Sequence, residues 1–283
     1  MTMLSINTNV GALKAAQASY SVNKSMETSM QRLSTGKRIN GSIDDAAGLQ
    51  ISTRLTAEIQ GLNQAVRNAA DGQAMLAAAE GGMNEIHVIL LRMRELAVQA
   101  ANGTGDVADR AALNSEFVAL EAEITRISEE TTWGGIELLD GTFTDGAAGN
   151  GRFAVGPDAT AAQTISHSIL DLAPTAASLG LVAAVTLVTF ANALSAVTQL
   201  DAAISAVGTQ RQQVGATMNR LDHAIANLQN VSTNLAVAKG RIEDADFAAE
   251  SSNLARTQVL QQASMAMLSQ ANASKQNILA LFN

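Results

Sequence analysis

A chain of 283 residues that is 47% hydrophobic yet 3% aromatic, with two prolines, takes its apolar mass from Ala, Leu, Val, Ile and Met, which suits helices packed side by side better than a rounded aromatic core. Eighteen basic against twenty-six acidic residues leave a net charge of -8 and a pI near 4.9, which argues against a general affinity for nucleic acid or anionic membrane, since both reward basic patches. The absence of cysteine excludes disulfides and thiolate metal sites.

The opening segment, Met1 to Asn9, has neither a basic n-region nor a continuous apolar stretch, so no Sec-type signal peptide is expected. Residues 1–33 are apolar in a helical rhythm and carry few charges. Asn40-Gly41 interrupts that run, and Ser42-Ile-Asp-Asp45 offers a capping-box-like restart. From Ile51 the apolar residues fall at Leu55, Ile59, Leu62, Val66, Ala69, Leu76 and Met83, with Gln73 and Glu80 in the intervening seam positions. That is the a/d spacing of a coiled-coil-like face. Asn102-Gly-Thr-Gly105 separates the helix ending near Ala101 from one beginning near Ala108, whose stripe is Leu113, Phe117, Leu120, Ile124 and Ile127.

From Gly134 the texture changes: glycine pairs and Asp-Gly steps predict hairpins and loops to about 175, with β-like pieces at Arg152–Val155 and Thr164–Leu170. The most apolar run, Leu179 to Ala191, spans thirteen residues and contains Thr186 and Thr189, short of the roughly twenty that a membrane-spanning helix needs. Helix returns from about 190 with the stripe Val214, Met218, Leu221, Ile225, Leu228, Leu235 and Ile242, where Ser232 and Lys239 take two seam places. Three long helices with matching stripes should bundle. Residues 247–283 close the chain with Leu254, Leu260, Met265, Leu268, Ile278, Leu279, Leu281 and Phe282. Lone helices of this kind leave an apolar face in water and are marginal, so both ends are expected to order fully only within an assembly.

The polar seam residues Gln73, Glu80, Ser232 and Lys239 admit two readings. On a straight helix a seven-residue stripe drifts by about 20° per heptad, which turns such positions toward solvent. Alternatively they fix register or permit sliding between packings. Drift is the expectation taken.

No catalytic, cofactor or metal site is expected. His87, His167 and His223 are scattered and no His-Glu-x-x-His segment exists; His87 falls on the helical seam and reads as a packed or partly exposed side chain. Ser34-Thr-Gly-Lys37 lacks the glycine spacing and strand context of a phosphate loop and reads as a helix terminus. Asp44 and Asp45 suit a helix N-terminus.

Several segments resemble the bacterial flagellins: Ile6-Asn-Thr-Asn9, Gln31-Arg-Leu-Ser-Thr-Gly-Lys-Arg-Ile-Asn40, Asp44-Asp-Ala-Ala-Gly48 and Arg94-Glu-Leu-Ala-Val-Gln99. On the C-terminal side Arg241-Ile-Glu-Asp-Ala-Asp246, Gln258-Val-Leu-Gln-Gln262, Gln270-Ala-Asn and Gln276-Asn-Ile-Leu-Ala-Leu follow in family order. The resemblance covers roughly residues 1–140 and 190–283. It implies a mainly α flagellin core fold, a long coiled-coil-like helical bundle with a small β-hairpin region, in which the chain runs out and back. Residues 1–46 and 243–283 would be the two halves of an inner-core helical domain, and 47–180 and 181–242 the two parts of an outer-core domain, with almost no room for a variable outer domain.

The resemblance further implies a secreted, extracellular homopolymer, the flagellar filament. Its polymerisation residues would be Ile6, Val10, Leu13, Leu33, Leu254, Leu268, Ile278, Leu279, Leu281 and Phe282 on the terminal helices. Implied partners are a flagellar export chaperone over 243–283, the filament cap and hook–filament junction proteins, and the vertebrate Toll-like receptor for flagellin. The receptor patch corresponds to Arg92, Leu96 and Glu116, with Arg94 and Glu95 nearby; a bland reading of the same residues is bundle packing for Leu96 and a solvated face for Arg92. The rival identity is a hook–filament junction protein, which shares flagellin-like ends; a soluble helical binding module is more distant.

Overall fold

The computed structural model describes residues 8–144, 151–158, 160, 163–174, 179 and 185–280, with side chains as far as 274. In chain order they form α1 (Val10–Thr35), α2 (Ala46–Ala100), α3 (Val107–Glu130), β1 (Thr132–Trp133), β2 (Ile136–Glu137), β3 (Arg152–Ala154), β4 (Thr164–Ser166), α4 (Phe190–Glu243) and α5 (Phe247–Ala280). Two compact units divide the chain, residues 1–57 with 234–283 and residues 58–233. The division falls inside α2 and α4, whereas the boundaries suggested at 46 and 243 coincide with helix ends.

In the first unit α1 and α5 pair antiparallel. Asn9 caps α1 by accepting from the Ala12 amide at 3.1 Å, and its side-chain amide donates to the Ala271 carbonyl at 3.1 Å. Further along, Gln261 donates to Asn23 at 2.9 Å and Arg32 faces Glu250 at 3.8 Å. Gly36 ends α1 at φ 72°, its amide donating to the Arg32 carbonyl at 2.8 Å; a glycine enters that left-handed conformation without the usual Cβ penalty. The restart differs from the Ser42 cap expected. The Asp44 carboxylate accepts from the Asn40 and Gly41 amides at 2.9 and 3.1 Å, so residues 41–44 close a turn. Asp45 then caps α2, accepting from the Gly48 amide at 2.9 Å.

The second unit has a continuous apolar core from α2, α3, α4 and the hairpins, including Leu76, Met83, Phe117, Ile124, Leu138, Phe153, Leu200 and Val214. Asp106 and Asp109 form a capping box at the head of α3. β1 and β2 pair through a two-residue turn, Gly134-Gly135, with φ of 57° and 86°, the mirror-image turn that matches strand twist. β3 and β4 pair antiparallel with Phe153 opposite Ile165, at the two places where the sequence suggested strands. The Phe153 ring lies so close to Gly72 of α2 that a Cβ there would sit 2.6 Å from it.

The drift reading of the polar seam is overturned. Gln73, Glu80, Ser232 and Lys239 are all half-buried, and three reach across the α2–α4 seam. Gln73 donates to Asp222 at 2.6 Å, Arg211 to Glu80 at 2.7 Å and Ser232 to Asn63 at 3.1 Å. The reason lies in a second buried stripe of α2, Ala65, Gly72, Ala79, Ile86, Met93 and Ala100, with Gly72 against Phe153; it widens the buried face of the helix, so that Gln73 and Glu80 border packed core.

Candidate assembly site

Two of the sequence segments, 31–40 and 241–246, come together in the first unit. Lys37 pairs with Asp244 in an antiparallel bridge, the Arg38 amide donates to the Glu243 carbonyl at 2.6 Å and the Ala245 amide to the Gly36 carbonyl at 2.9 Å. The Arg38 guanidinium donates to the Ile242 carbonyl at 2.8 Å. At the centre the buried Glu243 carboxylate receives the Lys37 ammonium, the Ser52 hydroxyl at 2.7 Å and, at 3.7 Å, the Lys239 ammonium. Hydrogen bonds from Lys37 and then Ser52 hold its carboxyl below the usual range, and Glu243 in turn pushes the Lys37 ammonium upward. This clasp was not singled out in the sequence. Lys239, four residues before Glu243, was its one local hint.

The α1–α5 pair leaves large apolar side chains in water. Val10 and Leu13 are 54% and 62% exposed, and Tyr20, Met30, Phe247, Val259, Met265 and Met267 are exposed beside them. Leu33, Leu254 and Leu268 are half-buried in the pair. Ile6, Leu281 and Phe282 lie outside the described residues, as do the side chains of Ile278 and Leu279. A groove of about 480 Å³ runs between the helices, lined by Gly11, Ala15, Ala18, Leu260, Ala263 and Met267 among others. Small residues open it and long apolar ones wall it. Such a surface is the signature of an interaction site.

On the second unit Arg92 of α2 donates through Nε and Nη2 to Glu116 of α3 at 3.0 and 2.8 Å, and through Nη1 to Glu95 at 2.6 Å. Those carboxylates raise its guanidinium further. Arg94 turns instead to Asp201 of α4 at 2.6 Å. Leu96 is 0% exposed and offers no surface to a partner in this fold, because with Met93, Ala97 and Ala100 it forms part of the apolar core.

His167 lies buried between α4 and the β3–β4 hairpin, its Nδ1 3.0 Å from the Thr217 hydroxyl and Nε2 3.5 Å from the Gln210 amide. Burial lowers its pKa. Among the described residues no group of three or more His, Asp or Glu could hold a metal ion, and no helix is long and apolar enough to cross a membrane.

Two mainly helical units, one of them showing long apolar rows to solvent, define a structural subunit built for association. Residues 6–144 match the bacterial flagellin N-terminal helical region and residues 197–282 the bacterial flagellin C-terminal helical region. The chain is 42% identical to a flagellin of Halalkalibacterium halodurans over 277 residues, covering 98% of each chain. It is 40% identical to a flagellin of Bacillus subtilis over 302 residues, covering 98% of this chain and 99% of that one. The crystal structure of Bacillus cereus flagellin covers 61% of this chain and 94% of its own, at 31% identity and a TM-score of 0.46. A Vibrio parahaemolyticus structure assigned to the flagellar hook-associated class covers 71% of this chain and 100% of its own, with a TM-score of 0.58 at 17% identity, a likeness of fold. The chain belongs to the bacterial flagellins. It is accordingly a structural subunit of the extracellular flagellar filament that serves motility.

Proposed function

We propose that α1 and α5, as the two halves of an inner-core domain, carry polymerisation, while the 58–233 unit acts as the outer core. The supporting observation is the exposed apolar rows of the α1–α5 pair around their shared groove. A subunit with such faces makes heterologous contacts that need not close, and open helical polymers result. Deleting residues 279–283 tests this. Slower or absent filament growth, with unchanged thermal unfolding of the second unit, is the expected result; normal filaments overturn it.

Marginal terminal helices also suit export in an unfolded state through the flagellar type III apparatus, with a chaperone covering residues 243–283 and addition beneath a cap protein. Co-purification of such a chaperone with the full chain, and its loss on deleting 247–283, supports this; retention of the chaperone by the truncated chain contradicts it. The rival role is a hook–filament junction protein. Purified chain that elongates filament seeds favours the filament role, and a collar that stops growth favours the junction.

A second reading makes the depolymerised chain an agonist of the vertebrate Toll-like receptor for flagellin. Arg92, Glu95 and Glu116 form an exposed ion network that a partner could engage, with Arg94 beside it, and Leu96 acts beneath it by holding α2 in place. Loss of receptor signalling in Arg92→Ala at unchanged stability supports this reading; full signalling by that variant and by Glu116→Ala contradicts it.

A further inference from the structure

The apolar seam between α2 and α4 in the second unit repeats itself. On α2 the buried positions Leu62, Ala69, Leu76, Met83, Leu90 and Ala97 step by seven, and on α4 so do Ala193, Leu200, Val207, Val214, Leu221 and Leu228. The helices run antiparallel, so each step of seven along α2 is matched by a step of seven back along α4. Sliding one helix by a heptad, about 10 Å at 1.5 Å per residue, therefore restores all layers but one at the end. Apolar burial is non-directional and barely separates these alignments.

The polar pairs do separate them. In the observed register Arg94 meets Asp201, Arg211 meets Glu80, Gln73 meets Asp222 and Ser232 meets Asn63. Gln73 also donates to the Met218 carbonyl at 3.2 Å. A slip of seven would set Glu80 against Ile204 or Met218, Arg94 against Leu194 or Gly208, and Asp222 against Val66 or Glu80. The Glu80–Arg211 pair carries most of the discrimination, because its side chains are 40% and 29% exposed and a slip would set Glu80 beside Ile204 or Met218 and Arg211 beside Gln73 or His87, leaving neither with an opposite charge. Removing one partner of a part-buried pair leaves a charge uncompensated, and a polar group at a seam position specifies register at some cost in stability.

We propose that these four polar pairs are a register key, selecting one of several near-equivalent heptad alignments of α2 and α4. Glu80 and Arg211 are thus positioning residues: they decide which residues of α4 lie beside which of α2, and so where the unit's exterior surface falls. The β3–β4 hairpin touches both helices, through Phe153 at Gly72 and His167 at Gln210, and is the rival holder of register.

The cysteine-free chain makes a direct test possible. The observed pairs Glu80–Arg211 and Arg94–Asp201 set Ala97 opposite residues 194–198 of α4. The reporter pair Ala97→Cys with Ala196→Cys, both fully buried in the parent, therefore reads the native layer, and Ala97→Cys with Ala203→Cys reads a slip of one heptad. In the parent, mild oxidation should close the native reporter and leave the slipped one open, and spin labels at the same sites should give one distance distribution. With Glu80, Arg211, Gln73 and Asp222 all changed to Leu, the chain should stay helical, keep or raise its melting temperature, and gain the slipped crosslink and a second distance. A slipped reporter that stays open with one distance overturns the proposal and assigns register to the hairpin. Should that variant not fold, Glu80→Arg alone against Glu80→Arg with Arg211→Glu decides. Recovery of the native crosslink in the double reversal alone supports the key, and equal behaviour of single and double reversals overturns it.

Discussion

Glu243, the last residue of α4, accepts a 2.7 Å hydrogen bond from Ser52, 191 positions earlier in the first turns of α2. With Lys37 on its other oxygen, it joins three separate stretches of chain at one buried carboxylate. Its folded pKa lies below the ordinary 4.5, so its stabilising effect is complete above 4.5 and is lost as pH falls through the lower folded value. The parent's first unit should therefore lose stability on acidification through and below that range. Glu243→Gln should lack that component, and Glu243→Ala should lose about 1–3 kcal/mol at neutral pH by orphaning Ser52. Thermal unfolding between neutral and acid pH measures both, and superimposable parent and Gln profiles would contradict the assignment.

His167 makes the second unit acid-sensitive in a different window. The Thr217 hydroxyl donates to the Gln213 carbonyl at 3.0 Å, so it accepts from Nδ1, and Nε2 accepts from Gln210; this tautomer is inferred from the network. Burial lowers the folded pKa below 6.5, so the unfolded chain takes the proton first. Stability should fall as pH drops below 6.5 and level off beneath the folded pKa. His167→Gln should flatten that slope in unfolding curves followed across the window. A slope unchanged by the substitution would contradict the argument.

Leu96 and Arg92 should separate in stability. Leu96→Ala removes a fully buried side chain and should cost about 2–5 kcal/mol. Arg92→Ala deletes an exposed, solvent-screened ion network and should leave stability nearly unchanged. Chemical denaturation of the two variants checks this, and equal losses would contradict it.

Two helical glycines should respond in opposite senses to alanine. At Gly208 a Cβ meets nothing within 4 Å, so Gly208→Ala should stabilise by about 0.5–1 kcal/mol through helix propensity. At Gly72 the Cβ collides with Phe153, and overpacking of about 1–3 kcal/mol outweighs the propensity gain. Melting temperatures should move up for the first and down for the second.

The helices were legible because Leu, Ile, Met and Val at three- and four-residue steps mark a buried face wherever they occur. The start of α4 at Phe190 and the strands at Arg152 and Thr164 followed from composition breaks. What stayed hidden was carried by small or polar residues. Ala65, Gly72 and Ala79 form a buried stripe without any large side chain, and without that stripe Gln73 and Glu80 look solvent-bound. The Glu243 clasp joins residues nearly two hundred positions apart, which no periodicity signals. Leu96 stood in a recognisable motif, and its full burial in the core matches the bundle-packing reading of that residue.

The central claim, that the terminal helix pair drives polymerisation of this flagellin, meets its most direct test in seeded growth followed by electron microscopy. Purified full chain added to filament fragments should lengthen them, while the chain lacking residues 247–283 should leave them unchanged though its second unit melts as in the parent. Elongation by the truncated chain at the parental rate would contradict the account.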